Sequence, residues 1–425
     1  MNKTIKFNTN SLFVCMCIYI TSKLLWDKIP VVFELAFIAV VAWQAIIYLS
    51  KKLAANNNTN LIVMVFIMWA YLIANALVQV PIIITFRCLY EYVFYTLFIF
   101  FMAGIYKQIN LGRCLETISC WGGIIAILSW LEYITKHHII ADIGDLQTIL
   151  YGGAYSFRSI VFTRSFLSHG VVLGVFSLLC FYLWISKKNI KWFFLGTFDY
   201  MSILTTGSRG PLVAFGVGIA FMYWGYTFFV NRKKEKKNQF ILFSVLFIFL
   251  LILLFTIDVG DIHSSVGYFI YRIQNIIDWS GDAGNLGRLL IWNECYNSLF
   301  KTNIFFGVGP STTGSWGQAI YGVTESGVLK RLCETGLVGF LMIYGVVFYI
   351  IKLSAKLFKK LDVNKKMEML LWLSIYISVF VNDITVQSTE EIMVSFWFWG
   401  SLGALLGIRE KYKRELVRKV RSNQK

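Results

Sequence analysis

Arg209 lies in the stretch TTGSRGPLVAF, between two segments that are otherwise almost entirely apolar. Gly207 and Gly210 allow the backbone to turn tightly and a ligand to approach it closely, and Pro211 suits the first turn of a following helix. That helix would direct its N-terminal amides and positive dipole end at the same spot as the guanidinium. The pattern predicts an anion-binding site. Two simpler alternatives are an arginine that snorkels at a helix end and one that pairs with Asp199.

Glu325 is the second candidate for chemistry, in the stretch TESGVLKRLCETG. Thr324 or Ser326 is available there as the N-cap of a short helix. A carboxylate at this position can accept a proton from a sugar hydroxyl. The alternative is a glutamate that only caps the helix or forms a salt bridge, which would stabilise the helix by less than about 1 kcal/mol.

Arginine predominates over lysine among the basic residues outside the predicted cytoplasmic segments. The planar guanidinium binds two phosphate or carboxylate oxygens at once, which a lysine ammonium does not do. A lipid diphosphate at the outer membrane boundary would suit such a cluster, and nearby aromatic rings can stack on sugars. Besides Arg209, the candidate ligand-contacting residues are Arg158, Arg164, Arg272, Arg288, Arg331, Trp292 and Tyr321.

The histidines and cysteines form no recognisable metal or redox motif. No HxxxH, HExxH or DxD spacing occurs, so neither a metal nor another cofactor is predicted. The stretch GVGPSTTG resembles a phosphate loop only in part, because no Lys-Ser/Thr pair follows it. Cys295 and Cys333 are interpreted as buried thiols, with a disulfide between them as the less favoured alternative.

A membrane-embedded scaffold must hold these residues. The chain of 425 residues is 57% hydrophobic and 15% charged, which is typical of an integral membrane protein. A spanning helix needs about 20 mostly apolar residues, so we predict an all-α membrane protein with about twelve transmembrane helices in a single polytopic domain, residues 1–425. The predicted spans are 9–26, 31–49, 61–79, 83–105, 115–135, 166–186, 192–207, 211–230, 239–257, 335–352, 368–386 and 392–408.

The distribution of charge predicts the orientation of the chain. The net charge is +17, and most of the 40 Lys and Arg residues fall in alternate connecting segments, including RKKEKK at 232–237 and the tail 409–425. Positive residues concentrate on the cytoplasmic side of membrane proteins. Both termini are therefore predicted to be cytoplasmic, and the positive charge needs no nucleic-acid partner.

One predicted extracytoplasmic loop, residues 258–334, is too long for a simple connector and is expected to be functional. The stretches HSSVGYFIYRIQNIIDW and GRLLIWNECYNSLF have the periodicity of amphipathic helices. GVGPSTTGSWG is predicted to be a loop. TESGVLKRLCETG is predicted to be a short helix that leads into the span beginning at 335.

The second half of the chain resembles a known family. TTGSRGPLVAFGVG, a further span, an outer loop with GNLGRLLIWNECYNSLFKTNIFFGVGPSTTG, and then TESGVLKRLCETGLVGFLMIYG resemble the O-antigen polymerase and ligase superfamily over roughly residues 200–350. The resemblance implies a metal-independent glycosyltransferase in the bacterial cytoplasmic (inner) membrane. Its active site would face the periplasmic or extracellular side. The implied partners are undecaprenyl-diphosphate-linked oligosaccharides, membrane lipid and a chain-length regulator protein.

The resemblance also implies roles for individual residues. Arg209 matches the arginine of the family's SRG motif, and Arg288 matches the arginine before the loop tryptophan, here Trp292; both would contact the donor diphosphate. Ligases of the superfamily typically have a histidine-asparagine pair where this chain has Glu325-Ser326. That difference favours a polysaccharide polymerase with Glu325 as the catalytic base. The alternatives are an O-antigen-type ligase and, more distantly, a non-enzymatic flippase.

Overall fold

The computed structural model describes residues 8–22, 32–54, 59–140, 149–151, 154–163, 165–230, 283–314 and 319–422. Helices account for most of these residues, which confirms the all-α prediction, and two three-residue strands form a small antiparallel hairpin. We number the helices α1 Thr9–Thr21, α2 Val32–Ala54, α3 Thr59–Gln79, α4 Ile82–Ile105, α5 Leu111–Thr135, α6 Phe166–Lys187, α7 Ile190–Ser202, α8 Arg209–Val230, α9 Ala283–Glu294, α10 Gly327–Phe358, α11 Val363–Thr385 and α12 Ile392–Ser422. The strands are β1 Ile149–Tyr151 and β2 Ala154–Ser156.

The predicted membrane spans coincide with helices, except for 239–257, which lies outside the described residues. By length and composition, nine of the described helices can cross a membrane, and Thr9–Thr21 is a shorter apolar helix. Short irregular segments continue or interrupt four of the described helices, and one of them is the π-helical turn Cys295–Phe300 that continues α9. A 3₁₀ turn, Ile203–Thr206, follows α7, while π-helical turns lie within α4 at Leu89–Phe94 and at the end of α8 at Tyr226–Val230.

Small residues hold α8, the helix that begins at Arg209, against its neighbours. A Cβ added to Gly174 of α6 would lie 2.3 Å from the ring of Phe215 in α8, and a Cβ added to Gly218 of α8 would overlap the Ser378 hydroxyl of α11. Close packing through small residues is a main source of helix association in membranes. Helix α8 is therefore wedged between α6 and α11, which fixes the position of its first turn.

Helix α10 is broken at Gly336, as the predicted short helix before a span requires. Gly336 has φ 61° and ψ −174°, a conformation almost restricted to glycine. The loop before the helix runs along this break: the amides of Leu337 and Val338 donate to the carbonyl oxygens of Ile304 and Phe305, at 2.9 and 3.2 Å. These bonds satisfy backbone groups that a broken helix would otherwise leave unpaired in an apolar environment.

Replacing Gly336 with alanine should destabilise the protein. The substitution adds backbone strain and brings a Cβ within 2.3 Å of the Phe305 carbonyl oxygen, so we expect a loss of about 2–5 kcal/mol of unfolding free energy. Gly345→Ala in the same helix is the matched control, because a Cβ there meets nothing within 4 Å. Thermal unfolding in detergent should show a lower Tm for Gly336→Ala alone, and equal Tm values would contradict this account.

Candidate functional site

The first turn of α8 carries Arg209, as the sequence predicts. Gly207 has φ 61°, and Ser208 is extended before the helix begins at Arg209. The glycine also makes room for a second arginine, since a Cβ at Gly207 would lie 3.4 Å from Nε of Arg158. The Asp199 carboxylate accepts a long hydrogen bond of 3.5 Å from the Cys180 thiol. The neighbour that holds Asp199 within the helix bundle is thus Cys180, and not Arg209 as the second alternative interpretation proposed.

Arg288 and Glu325 lie together, although 37 positions of the chain separate them. Nε of Arg288 is 3.6 Å from Oε2 of Glu325, and the two side chains are 27% and 35% exposed. An ion pair this exposed contributes less than about 1 kcal/mol to stability. The pair is therefore available for exchange with a charged ligand at little cost to the fold.

The backbone at Glu325 is strained. Its φ of 52° places a residue with a long side chain in the left-handed region, where residues other than glycine, asparagine and aspartate are uncommon. Both neighbours are buried: the Thr324 amide donates to Oε1 of Gln387 at 2.9 Å, and Oγ of Ser326 caps α10 by accepting from the Leu329 amide at 3.2 Å. Because the side chains of Thr324 and Ser326 are both buried, the left-handed turn at Glu325 directs its carboxylate outward, toward Arg288.

The first turns of α8 and α10 lie on either side of the end of α11. A Cβ at Gly210, next to Arg209, would lie 3.0 Å from Oδ1 of Asn382. A Cβ at Gly327, two residues after Glu325, would overlap the carboxylate of Asp383. Two consecutive residues of α11 thus contact the segments that carry Arg209 and Glu325.

The other predicted contact residues are placed differently. Arg158 is buried, with its guanidinium 4.3 Å from the centroid of the Phe166 ring, beside the turn that precedes Arg209. Trp292 is half-buried on α9, one turn after Arg288, and Tyr321 is 38% exposed, with its amide bonded to the Thr312 carbonyl oxygen at 2.9 Å. The predicted residues Arg164 and Arg272 lie outside the described residues.

Arg331 is buried, and its guanidinium has protein partners. Nη1 is 2.6 Å from Oδ2 of Asp383 and 3.1 Å from the Tyr344 hydroxyl, and Nη2 donates to Oγ1 of Thr389 at 2.5 Å. These contacts join α10, α11 and the turn between α11 and α12. Its position therefore supports a structural role more than the predicted contact with a donor or glycan.

A buried charged cluster at the start of α10 was not predicted from the sequence. Nζ of Lys330 lies 3.3 Å from Glu91, 3.3 Å from Glu390 and 3.8 Å from Glu334. Glu91 also accepts from Nε of Arg87 at 2.7 Å. The available signals were the i,i+4 spacing of Lys330 and Glu334 and an isolated glutamate within a predicted span, which is uncommon in lipid.

The loop GVGPSTTG wraps around the carboxylate of Glu334. The backbone amides of Ser311 and Thr313 donate to Glu334 at 2.9 and 2.8 Å, and the Tyr92 hydroxyl donates at 2.5 Å. The carboxylate of Glu334 thus accepts hydrogen bonds from backbone amides of the loop, as a bound phosphate does in a nucleotide-binding loop. This arrangement accounts for the partial resemblance of the loop to such a motif.

Cys295 and Cys333 are both buried and reduced in the described part of the chain, and the Cys333 thiol donates to the Cys295 carbonyl oxygen at 3.7 Å. Burial raises the pKa of the Cys295 thiol. The interpretation as buried thiols is confirmed, and the disulfide alternative is wrong. Among the described residues, no group of three or more His, Cys, Asp or Glu side chains could hold a metal ion.

Comparison with known proteins adds an assignment for part of the chain. No curated protein matches the sequence. A family model described as O-antigen ligase matches residues 193–344, which is less than half of the chain but includes Arg209, Arg288 and Glu325. For a multi-pass helical membrane protein, this match indicates a function of the O-antigen ligase or polymerase type and supports a transferase role. The match at residues 193–344 confirms the resemblance of this chain to the O-antigen polymerase and ligase superfamily.

Proposed function

We propose that the protein is a polysaccharide polymerase that transfers a growing glycan from undecaprenyl diphosphate to the non-reducing end of a lipid-linked repeat unit. The observation that carries this proposal is the partly exposed pair of Arg288 and Glu325, whose Nε and Oε2 atoms are 3.6 Å apart. The pair combines a proton acceptor with a guanidinium that can bind diphosphate, and the strained backbone at Glu325 is typical of functional sites.

In the proposed reaction, the carboxylate of Glu325 accepts the proton of the acceptor hydroxyl as the oxygen attacks the anomeric carbon of the donor. The bond between that carbon and the diphosphate oxygen breaks, and the configuration is inverted. Negative charge then builds on the departing diphosphate, and Arg288 and Arg209 stabilise it. Preorganised charge of this kind is commonly worth several kcal/mol to a transition state.

Arg209 contributes more than its own charge in this proposal. It is the first residue of a long helix, α8, so the N-terminal amides of that helix point toward the same region. Gly210 lets the first turn of α8 pack closely on Asn382, while Arg158 adds a second guanidinium behind Gly207. Trp292 and Tyr321 are proposed to contact sugars. Arg164 and Arg272 remain proposed contacts from the sequence alone.

The proposed location is the outer face of a bacterial cytoplasmic membrane, with both termini in the cytoplasm. The concentration of lysine and arginine in alternate connecting segments supports this orientation. In this orientation, Arg209, Arg288 and Glu325 lie on the extracytoplasmic side, where lipid-linked repeat units would reach them.

Purified protein in liposomes that contain lipid-linked repeat units should produce a ladder of longer glycans without any second acceptor. A polymerase uses the repeat unit as both donor and acceptor, so electrophoresis of the products is a direct test. A ligase is the second candidate, because the matching family model is described as O-antigen ligase. Product formation only after the addition of a separate acceptor, such as a lipid core, would contradict the polymerase proposal and support the ligase.

A further inference from the structure

The turn that joins α11 to α12 contacts the chain on both sides of Glu325. We define this outer turn as residues 382–390, which lie beyond the segment matched by the family model. On one side, Oε1 of Gln387 accepts from the amide of Thr324 at 2.9 Å and from its hydroxyl at 2.8 Å. On the other side, Gly327 packs so closely on Asp383 that a Cβ would lie 2.2 Å from Oδ1.

The contact with Gly327 is held rigidly. Asp383 is fully buried, and its carboxylate accepts from Nη1 of Arg331 at 2.6 Å and from the Thr389 hydroxyl at 2.8 Å. The same Nη1 donates to the Gly327 carbonyl oxygen at 3.2 Å. One carboxylate and one guanidinium therefore fix the first turn of α10, directly after Glu325.

The outer turn also contacts the segment that carries Arg209. A Cβ at Gly210 would meet Oδ1 of Asn382 at 3.0 Å and Cγ2 of Val386 at 3.4 Å. Residues 382–387 thus form a short bridge between the residue after Arg209 and the two residues that flank Glu325. A shift of this bridge would change the separation between the proposed base and the proposed diphosphate ligand.

We propose that Gln387 and Asp383 are positioning residues that set the orientation of Glu325 relative to Arg209. They act through the backbone at 324 and 327, without touching the substrate. A left-handed conformation such as that of Glu325 persists when surrounding contacts over-determine it, and these two residues supply such contacts. The inference rests on the proposed function, in which Glu325 is the base.

The test uses two variants, with chain extension measured in liposomes. Gln387→Ala removes both hydrogen bonds to Thr324, and Thr324→Val removes the hydroxyl bond but keeps the amide bond. A small misplacement of a reacting group can lower a rate about 100-fold, so we expect kcat to fall by about 10–100-fold. KM should change little, since the substrate contacts are intact. The double variant should be hardly worse than Gln387→Ala, because that variant already removes both bonds to Thr324, including the hydroxyl bond that Thr324→Val removes. Thr324→Ser keeps the hydroxyl and should restore most of kcat.

Asp383→Asn tests the other side of Glu325 and should also lower kcat, although it leaves the Arg331 guanidinium buried without a carboxylate and can reduce the yield of folded protein. If Asp383→Asn does not fold in sufficient yield, Gln387→Ala and Thr324→Val still test the inference, because neither variant removes a charge. Asp362→Asn is the matched control: Asp362 caps the opposite, cytoplasmic end of α11 by accepting from the Lys365 amide at 2.8 Å. It should retain the parental kcat and nearly the parental stability, because asparagine caps a helix about as well as aspartate does.

Two outcomes separate failure of this inference from failure of the proposed function. If Gln387→Ala and Thr324→Val keep the parental kcat per folded molecule while Glu325→Gln is inactive, the positioning role is wrong and the proposed base stands. If Glu325→Gln extends chains at the parental rate, the proposed function fails, and the positioning inference fails with it.

Discussion

Replacing Glu325 with glycine should abolish chain extension and leave the protein as stable as the parent. Glycine adopts the φ of 52° without strain, and this gain roughly offsets the larger conformational entropy of glycine in the unfolded chain. We therefore expect the unfolding free energy to stay within about 1 kcal/mol of the parental value. Loss of a general base lowers a rate by about 100- to 10,000-fold. Thermal unfolding and the ladder assay, carried out on the same preparation, measure both quantities.

Glu325→Gln removes the charge and keeps the shape, so it should lose activity to a similar extent. Glu294→Gln is the matched control, because Glu294 is an exposed glutamate at the end of α9, the helix that carries Arg288. The control should extend chains normally. Parental activity in Glu325→Gln, or equal losses in the two glutamine variants, would exclude Glu325 as the base.

Replacing Arg288 with alanine should stop chain extension but leave repeat units on the outer leaflet. The arginine stabilises the departing diphosphate in the proposed reaction, and removal of one such electrostatic contact typically lowers kcat by about 100- to 1,000-fold. Arg288→Lys should retain part of the activity, since lysine keeps the charge and loses the two-pronged geometry. The ladder assay reports extension, and labelling of intact cells with a lectin reports the repeats exposed outside.

Arg288 also distinguishes the enzyme from a flippase. The control is Lys301→Ala, which removes the charge of an exposed lysine close to α9. This variant should change neither readout. If Arg288→Ala instead causes repeat units to accumulate on the inner leaflet, transport would be the better account of the function. Normal extension by Arg288→Ala would show that this arginine does not contact the diphosphate during the reaction.

The helices were predictable because a run of about 20 apolar residues is itself the physical requirement for crossing a membrane. The break in α10 was also predictable, since the span could begin only after the polar stretch that ends near Gly336. The predicted spans miss the helix ends by several residues, for example at Ala54. Helices continue into water wherever capping and packing permit, which an apolar run does not report.

Parts of the candidate site were less predictable. Arg288 and Glu325 could be singled out by residue type and by resemblance, but their proximity depends on how the turn that follows α9 packs against α10. Arg331 was predicted to contact a ligand, and its actual partner could not be foreseen, because Asp383 is 52 residues away in the sequence. The support from Gln387 was not foreseen either, because a neutral side chain after an apolar span carries no signal of its own.

The buried pairing of Glu91 with Lys330 has a consequence for biogenesis. The two residues are 239 positions apart, so at about 5–20 residues per second the ribosome reaches the lysine on the order of ten to fifty seconds after the glutamate. A lone carboxylate inserted early would be costly in lipid. Arg87 lies one helical turn before Glu91 and pairs with it at 2.7 Å, so a local counter-charge enters the translocon together with the glutamate. Helix α4 can therefore be inserted before the rest of its cluster has been synthesised.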